Sequence, residues 1–165
     1  MKLSKKMADA INGQINMELS SSYVYLAMSA WCEFKHFAGS ARWFRMQAQE
    51  EMEHAMRLYK VLTEYDARIE LKAVAEPKKE YKSLLDAFEA ALGHEEAVTA
   101  SINKLFELSQ AEKAHAVGVE LHWFLTEQVE EEKSARKAVA ALKMVGDDPV
   151  ALMELDRHFG SREGD

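Results

Sequence analysis

The sequence is poor in the residues that build disulfides, tight turns and irregular loops. Its 165 residues include one cysteine, Cys32, two prolines and seven glycines. A single cysteine excludes an intramolecular disulfide and fits a reducing compartment. Because prolines and glycines are few while Ala, Leu, Met, Glu and Lys are plentiful, the composition favours helix over sheet.

Long hydrophobic runs are also missing. No apolar stretch approaches the ~20 residues that cross a bilayer, and the positively charged start of the chain lacks the apolar core of a signal peptide. We therefore expect a cytoplasmic protein that does not enter the membrane.

The chain also lacks an excess of positive charge. The formal net charge is −7, whereas nucleic-acid binding requires a concentrated basic patch. We expect no nucleic-acid partner. With 48% hydrophobic and 30% charged residues, the chain can fold as one domain over residues 1–165 and stay in solution.

Apolar residues recur at helical spacing and predict helices at about 4–37, 40–67, 83–110, 113–144 and 149–159. Ser40 and Ser83 are expected to cap the second and third helices, and Gly146 to Pro149 indicate a stop followed by a restart. Short connections within each pair make antiparallel hairpins, while the long second connection crosses the bundle. The predicted fold is all-α, a four-helix bundle with a short fifth C-terminal helix.

Each long helix carries a carboxylate in the middle of its inward apolar stripe, namely Glu18, Glu51, Glu95 and Glu131. Four carboxylates in one core repel each other and are tolerated only if protons or cations neutralise them. Two divalent cations balance the charge, and oxygen ligands with one imidazole, His54, suit iron or manganese better than a thiolate zinc site. We predict a two-iron centre with these five residues as ligands.

The ligand spacing occurs twice along the chain. Glu51 and His54 lie 33 and 36 residues after Glu18. Gln128 and Glu131 lie 33 and 36 residues after Glu95. Residues three apart on a helix point the same way, so each pair can converge on one ion. One such glutamate alone could be a polar residue that fixes helix register; the repeat, a 77-residue offset, favours a metal site.

These motifs give the sequence a family resemblance. Its segments NMELSSSYVYLAM, AQEEMEHAM, HEEAVTASI and EQVEEE resemble the ferritin family, in particular the non-haem bacterial and archaeal ferritins. The resemblance extends over nearly the whole chain, from Ile11 to Asp156. It implies a ferroxidase that oxidises Fe(II) with O2 and stores the ferric product as a mineral inside a cage of about 24 identical subunits.

The resemblance also implies roles for individual residues. It implies that Glu18, Glu51 and His54 bind the first iron, and that Glu95, Glu131 and the bridging Glu51 bind the second. It implies that Gln128 faces the bound oxygen species and that Tyr25 and Trp123 lie close to the centre. For an accessory third iron it implies Glu50, Glu127 and Glu130. From the residues alone, Tyr25 could be an ordinary core tyrosine, Trp123 a packing residue, and the accessory trio part of a solvated acidic face.

Three other functions stay open. Met52 lies where haem-binding bacterioferritins carry a haem-ligating methionine, although Gln128 and Glu131 replace the second Glu-x-x-His of those relatives and favour a chain with iron and without haem. A di-iron oxidase acting on an organic substrate or peroxide, as in rubrerythrin-like proteins, is the second. A metal-free structural bundle is the third.

Overall fold

The computed structural model describes residues 2–162, and it confirms the all-α fold. The helices are α1 (Lys5–Phe34), α2 (Ala38–Glu64), α3 (Leu84–Ala111), α4 (His115–Val145) and α5 (Pro149–Gly160). Each boundary lies within three residues of its predicted position. Of the helices in residues 2–162, none has both the length and the apolar character needed to cross a bilayer.

The four long helices pair as two hairpins, α1 with α2 and α3 with α4. Their buried apolar side chains form two clusters, one that includes Phe44 and Phe88 and one that includes Ile11 and Leu62. In each long helix the central carboxylate lies between residues of the two clusters. A polar layer therefore divides the core at mid-bundle.

The long connection between α2 and α3 runs the length of the bundle, as predicted. Asn12, near the start of α1, holds its beginning: Nδ2 donates to the Arg68 carbonyl at 2.9 Å, and Oδ1 accepts from the Glu70 amide at 2.8 Å. Its end is held by Tyr81, whose ring packs edge-on against Trp31 with centroids 5.4 Å apart. Residues 12 and 31 of a helix are about 28 Å apart, so the connection spans most of α1.

The helix ends around α3 and α5 follow the sequence signals. The Ser83 side chain accepts from the Asp86 amide, and Asp148 accepts from the Ala151 amide with Pro149 in the first turn. Gly146 follows α4 with a φ of 58°, a left-handed conformation that suits glycine. Local chemistry is enough to determine these boundaries.

The predicted cap of α2 was wrong. Ser40 does not cap the helix, because α2 already begins at Ala38 after a turn in which His36 has a φ of 64°. The cap comes instead from Asp156 of α5. Its Oδ2 accepts from the Gly39 amide at 2.9 Å, and its Oδ1 accepts from the Ser40 amide and hydroxyl, each at 2.7 Å.

Two glycines let α5 lie directly on α2. A Cβ on Gly39 would be 1.8 Å from the Asp156 carbonyl oxygen, and a Cβ on Gly160 would be 2.9 Å from the Gly39 Cα. Neither contact leaves room for a side chain. The helices therefore touch backbone to backbone, and this brings the Asp156 carboxylate onto the exposed amides at the start of α2.

We expect Asp156→Ala to lower the thermal unfolding midpoint by about 4–8 °C, since it removes a buried charged acceptor from three donors, a loss of about 2 kcal/mol. Differential scanning calorimetry of the purified protein measures the shift. Asp147→Ala, at an exposed position just before α5, is the matched control and should leave the midpoint unchanged. Equal midpoints for the Asp156 variant and the parent would contradict a capping role.

Candidate metal centre

The four long helices bring their central carboxylates into the polar layer. Glu18, Glu51, Glu95 and Glu131 are all at most 5% exposed, and His54 is 4% exposed. One ligand atom each from Glu18, Glu51 and His54 lies within 4.8 Å of the other two. Three predicted ligands thus already form a compact set of donors from two helices.

Two glutamines hold the first half of this site. Gln14 Nε2 donates to Glu18 Oε1 at 2.7 Å, and Gln47 Nε2 donates to Glu51 Oε1 at 3.3 Å and to Glu131 Oε2 at 2.7 Å. Sequence reasoning missed both, although each precedes its glutamate by four residues, the spacing of neighbours on a helix face.

Glu18 and Glu51 each have a second carboxylate oxygen that these glutamines do not hold. Glu18 Oε2 and Glu51 Oε2 are buried and accept no hydrogen bond from residues 2–162. A buried carboxylate oxygen without a donor is strongly unfavourable. The pair therefore calls for a proton or a cation between the two side chains.

Glu95 lies on the other side of the centre, held by the residues that the resemblance placed near it. The Tyr25 hydroxyl donates to Glu95 Oε1, and Gln128 Nε2 donates to Glu95 Oε2 at 3.1 Å and to Thr99 Oγ1 at 3.2 Å. Glu95 is outside the compact donor sets found among the described residues. Its role as a ligand stays a prediction. A carboxylate offers about four acceptor positions on its two oxygens, so Glu95 can keep both donors and still bind a cation.

Burial and mutual repulsion change the acidity of the centre. Burial raises the pKa of Glu18 and of Glu51 well above the usual value, and the charges of Glu51 and Glu95, respectively, raise them further. Burial followed by the charges of Glu95 and Glu50 raises the pKa of Glu131 to about 8. Without a cation, the centre therefore holds protons at neutral pH.

The accessory trio is not brought together as one group. Glu127 joins His54 and Glu131 in a second donor set within 4.8 Å, and Glu50 and Glu127 line one pocket of about 850 Å³. Glu130 is exposed and pairs with Lys133 at 3.1 Å. The structure thus places two of the three predicted accessory residues beside the centre.

The aromatic neighbours and Met52 occupy distinct environments. The Trp123 ring meets His54 edge-on, with centroids 5.3 Å apart, and its face carries the Arg57 guanidinium at 4.2 Å. Tyr25 is fully buried against Phe44. Met52 is 43% exposed, so it points away from the polar layer, and haem ligation through it stays an untested alternative.

Comparison with known proteins identifies the family. Residues 8–145 match the ferritin-like domain family. The chain belongs to the ferritin family. The bacterial non-heme ferritin of Staphylococcus aureus (strain USA300) is 36% identical to this ferritin over 163 residues, with 99% of this chain and 98% of the relative covered. The non-heme ferritin of Staphylococcus haemolyticus is 34% identical over the same length and coverage.

Solved structures agree with the sequence relatives. A ferritin of Archaeoglobus fulgidus engineered into a closed form superposes with a TM-score of 0.97 at 40% identity, covering 99% of this chain and 100% of the other. The open-pore ferritin of the same archaeon gives 0.97 at 41% identity, with 98% and 100% covered. The predicted resemblance to the non-haem bacterial and archaeal ferritins is confirmed.

Proposed function

We propose that this ferritin stores iron, oxidising Fe(II) with O2 at Glu18, Glu51, His54, Glu95 and Glu131. The observation that carries the proposal is the polar layer itself: four buried carboxylates from four helices, with two carboxylate oxygens that accept no hydrogen bond from the described residues. Such a group of carboxylates binds divalent cations strongly, whereas without cations its buried charges destabilise the fold.

The donor chemistry fits iron as the substrate. The set offers carboxylate oxygens and one imidazole, and the single cysteine, Cys32, is buried within the apolar cluster around Phe44. Hard oxygen ligands with one histidine suit Fe(II), and bound iron supplies the electrons that reduce O2.

The residues around the donors fix their geometry. Gln14 holds one oxygen of Glu18, and Gln47 holds one oxygen each of Glu51 and Glu131. The second oxygens of Glu18 and Glu51 stay available to a cation. Trp123 and Phe124 border the His54 ring with centroids at 5.3 and 6.0 Å, which restricts its orientation. Ligands fixed in this way by outer contacts bind metal more tightly than mobile ones.

Protons must leave as cations bind. Glu18, Glu51 and Glu131 have raised pKa values, so each is protonated for part of the time at neutral pH without a cation. The binding of Fe(II) by these carboxylates releases those protons. Gln128 and Tyr25, which donate to Glu95, keep that carboxylate oriented as the charge in the centre changes.

We also propose that the chain assembles into a homo-oligomeric cage of about 24 copies in the cytoplasm. Large apolar side chains are exposed on the α1–α2 hairpin, including Tyr23, Leu26, Met56 and Tyr59. Several exposed large apolar side chains on one hairpin mark a surface that other chains cover. The relatives from Archaeoglobus fulgidus are described as open-pore and closed forms of a ferritin, and a pore implies an enclosed space.

Native mass spectrometry tests the proposal directly. We expect a particle of roughly 24 times the chain mass of 18.7 kDa, which takes up many ferric ions per chain when Fe(II) is added in air. A small oligomer that oxidises Fe(II) and retains no mineral would contradict storage and favour the di-iron oxidase. A particle that binds no metal would favour the structural bundle.

A further inference from the structure

Arg162, just beyond the end of α5, places a positive charge beside the proposed centre. Its Nη2 donates to Glu50 Oε2 at 2.7 Å, its Nη1 donates to Gln47 Oε1 at 2.9 Å, and its Cζ lies 4.9 Å from the centre of the Trp43 ring. The side chain is only 18% exposed, and that of Glu50 is 16% exposed. A guanidinium held from three directions in this way is a fixed cation rather than a mobile surface charge.

The backbone at this point is held as firmly as the side chain. Arg42 Nη1 donates to the carbonyls of Gly160 and Arg162 at 2.6 and 2.5 Å, and Asp156, earlier in α5, binds the start of α2. Docking of α5 therefore determines where the guanidinium lies.

The contact with Gln47 links Arg162 to the ligands. Because Gln47 Oε1 accepts from the guanidinium, its Nε2 faces the carboxylates and donates to Glu131 and Glu51. A flipped amide would turn its oxygen toward those carboxylates and its nitrogen toward a cation. Arg162 therefore fixes the amide orientation that the centre requires.

The guanidinium lies against an acidic flank, which we define as Glu50, Glu127 and Glu131. Glu50 acts electrostatically on Glu131, and Arg162 acts on it in the opposite sense. Glu127 and Glu131 already form a donor set with His54, and Glu50 lines the same pocket as His54 and Glu127. The Glu50 carboxylate, which a cation in that pocket would attract, is bound to Arg162 instead.

We propose that Arg162 is an internal cation of the acidic flank, which neutralises Glu50 and thereby weakens the binding of a third divalent cation next to the two-metal centre. The inference rests on the proposed function, because it presumes that the centre binds two cations. It identifies a residue that sets how many metal ions each chain holds, and it makes that number depend on the docking of α5.

Anaerobic isothermal titration of the assembled protein with Co(II) tests this. We expect Arg162→Gln to gain a third equivalent per chain that binds about tenfold more tightly than any third equivalent in the parent. Arg162→Gln combined with Glu50→Gln should lose that equivalent again. Arg157→Gln, at an exposed arginine of α5 that pairs with Glu154, is the matched control and should titrate like the parent.

The single variant Glu50→Gln leaves Arg162 in place, so it tests the same contact even if the loss of Arg162 undocks α5. Because Glu50 is already bound to Arg162 in the parent, this variant should bind as many Co(II) ions as the parent. An Arg162→Gln isotherm identical to the parent's would overturn the inference, as would a third equivalent in the parent that Glu50→Gln removes. A parent that binds two equivalents in either case leaves the proposed function intact; a parent that binds none overturns the proposed function together with this inference.

Discussion

Replacing Glu51 and His54 together by alanine is expected to slow the oxidation of Fe(II) at least about a hundredfold, because changes even to residues behind a metal ligand cost 10–100-fold in affinity or activity. Glu51 and His54 are separated by one helical turn, and both are buried in the same donor set as Glu18. Their loss removes the two donors that α2 contributes. Ferric absorbance after addition of Fe(II) in air measures the rate.

The control for this variant is Glu64→Ala, which removes an exposed carboxylate from the end of the same helix and should leave the rate unchanged. Circular dichroism should show equal helix content in all three proteins, since alanine favours helix and the change relieves buried charge. Parental oxidation rates in the double variant would overturn the ligand assignment.

Without metal, the protein is expected to lose stability as the pH rises from about 5 to 8. The pKa of Glu131 rises from its ordinary 4.5 to about 8 in the folded chain, chiefly through burial. A carboxyl group with a raised folded pKa binds more protons in the folded than in the unfolded state between those two values, so unfolding becomes easier as the pH increases. The loss is on the order of a few kcal/mol and levels off above the folded pKa.

Thermal unfolding in the presence of a chelator, followed from pH 5 to 9, measures this trend. Glu131→Gln keeps the shape of the side chain and removes its titration, so it should reduce the slope. The slope that remains comes from Glu18 and Glu51, whose pKa values are also raised. Added Co(II) should raise the midpoint most at the high end of the range, where the ligands are ionised and metal binding is strongest. A midpoint of the metal-free parent that rises over this range would contradict the prediction.

The bundle and its polar layer could be predicted because their signals are local and periodic. Glu18 and Glu95 interrupt apolar stripes that follow the helical repeat, and the structure buries both where the stripes predicted. The polar residues that hold the ligands were less visible. Gln14 lies one turn from Glu18, but its hydrogen bond depends on a rotamer that is also fixed by Ser101 of α3, whose hydroxyl donates to Gln14 Oε1 at 2.5 Å.

The contacts of α5 could not be predicted, because they join residues more than a hundred positions apart. Ser40 has the chemistry of a cap, yet the Asp156 carboxylate takes that function and leaves the serine hydroxyl as a donor. In the same way, nothing near Glu50 in sequence indicates that Arg162 binds it. The sequence also grouped Glu130 with Glu50 and Glu127, whereas Glu130 faces Lys133 on the surface.

The backbone crossing of α5 over α2 has a consequence for how the chain tolerates changes in length. Apolar side chains can slide past one another by a turn and still pack, but the pair Gly39 and Gly160 permits one alignment only, and the carboxylate of Asp156 fits the amides of Gly39 and Ser40 in that alignment alone. The loop at residues 146–148 therefore works as a spacer of fixed length. Insertions and deletions that the long connection at residues 65–83 could absorb would, in this short loop, shift α5 off its contact with α2.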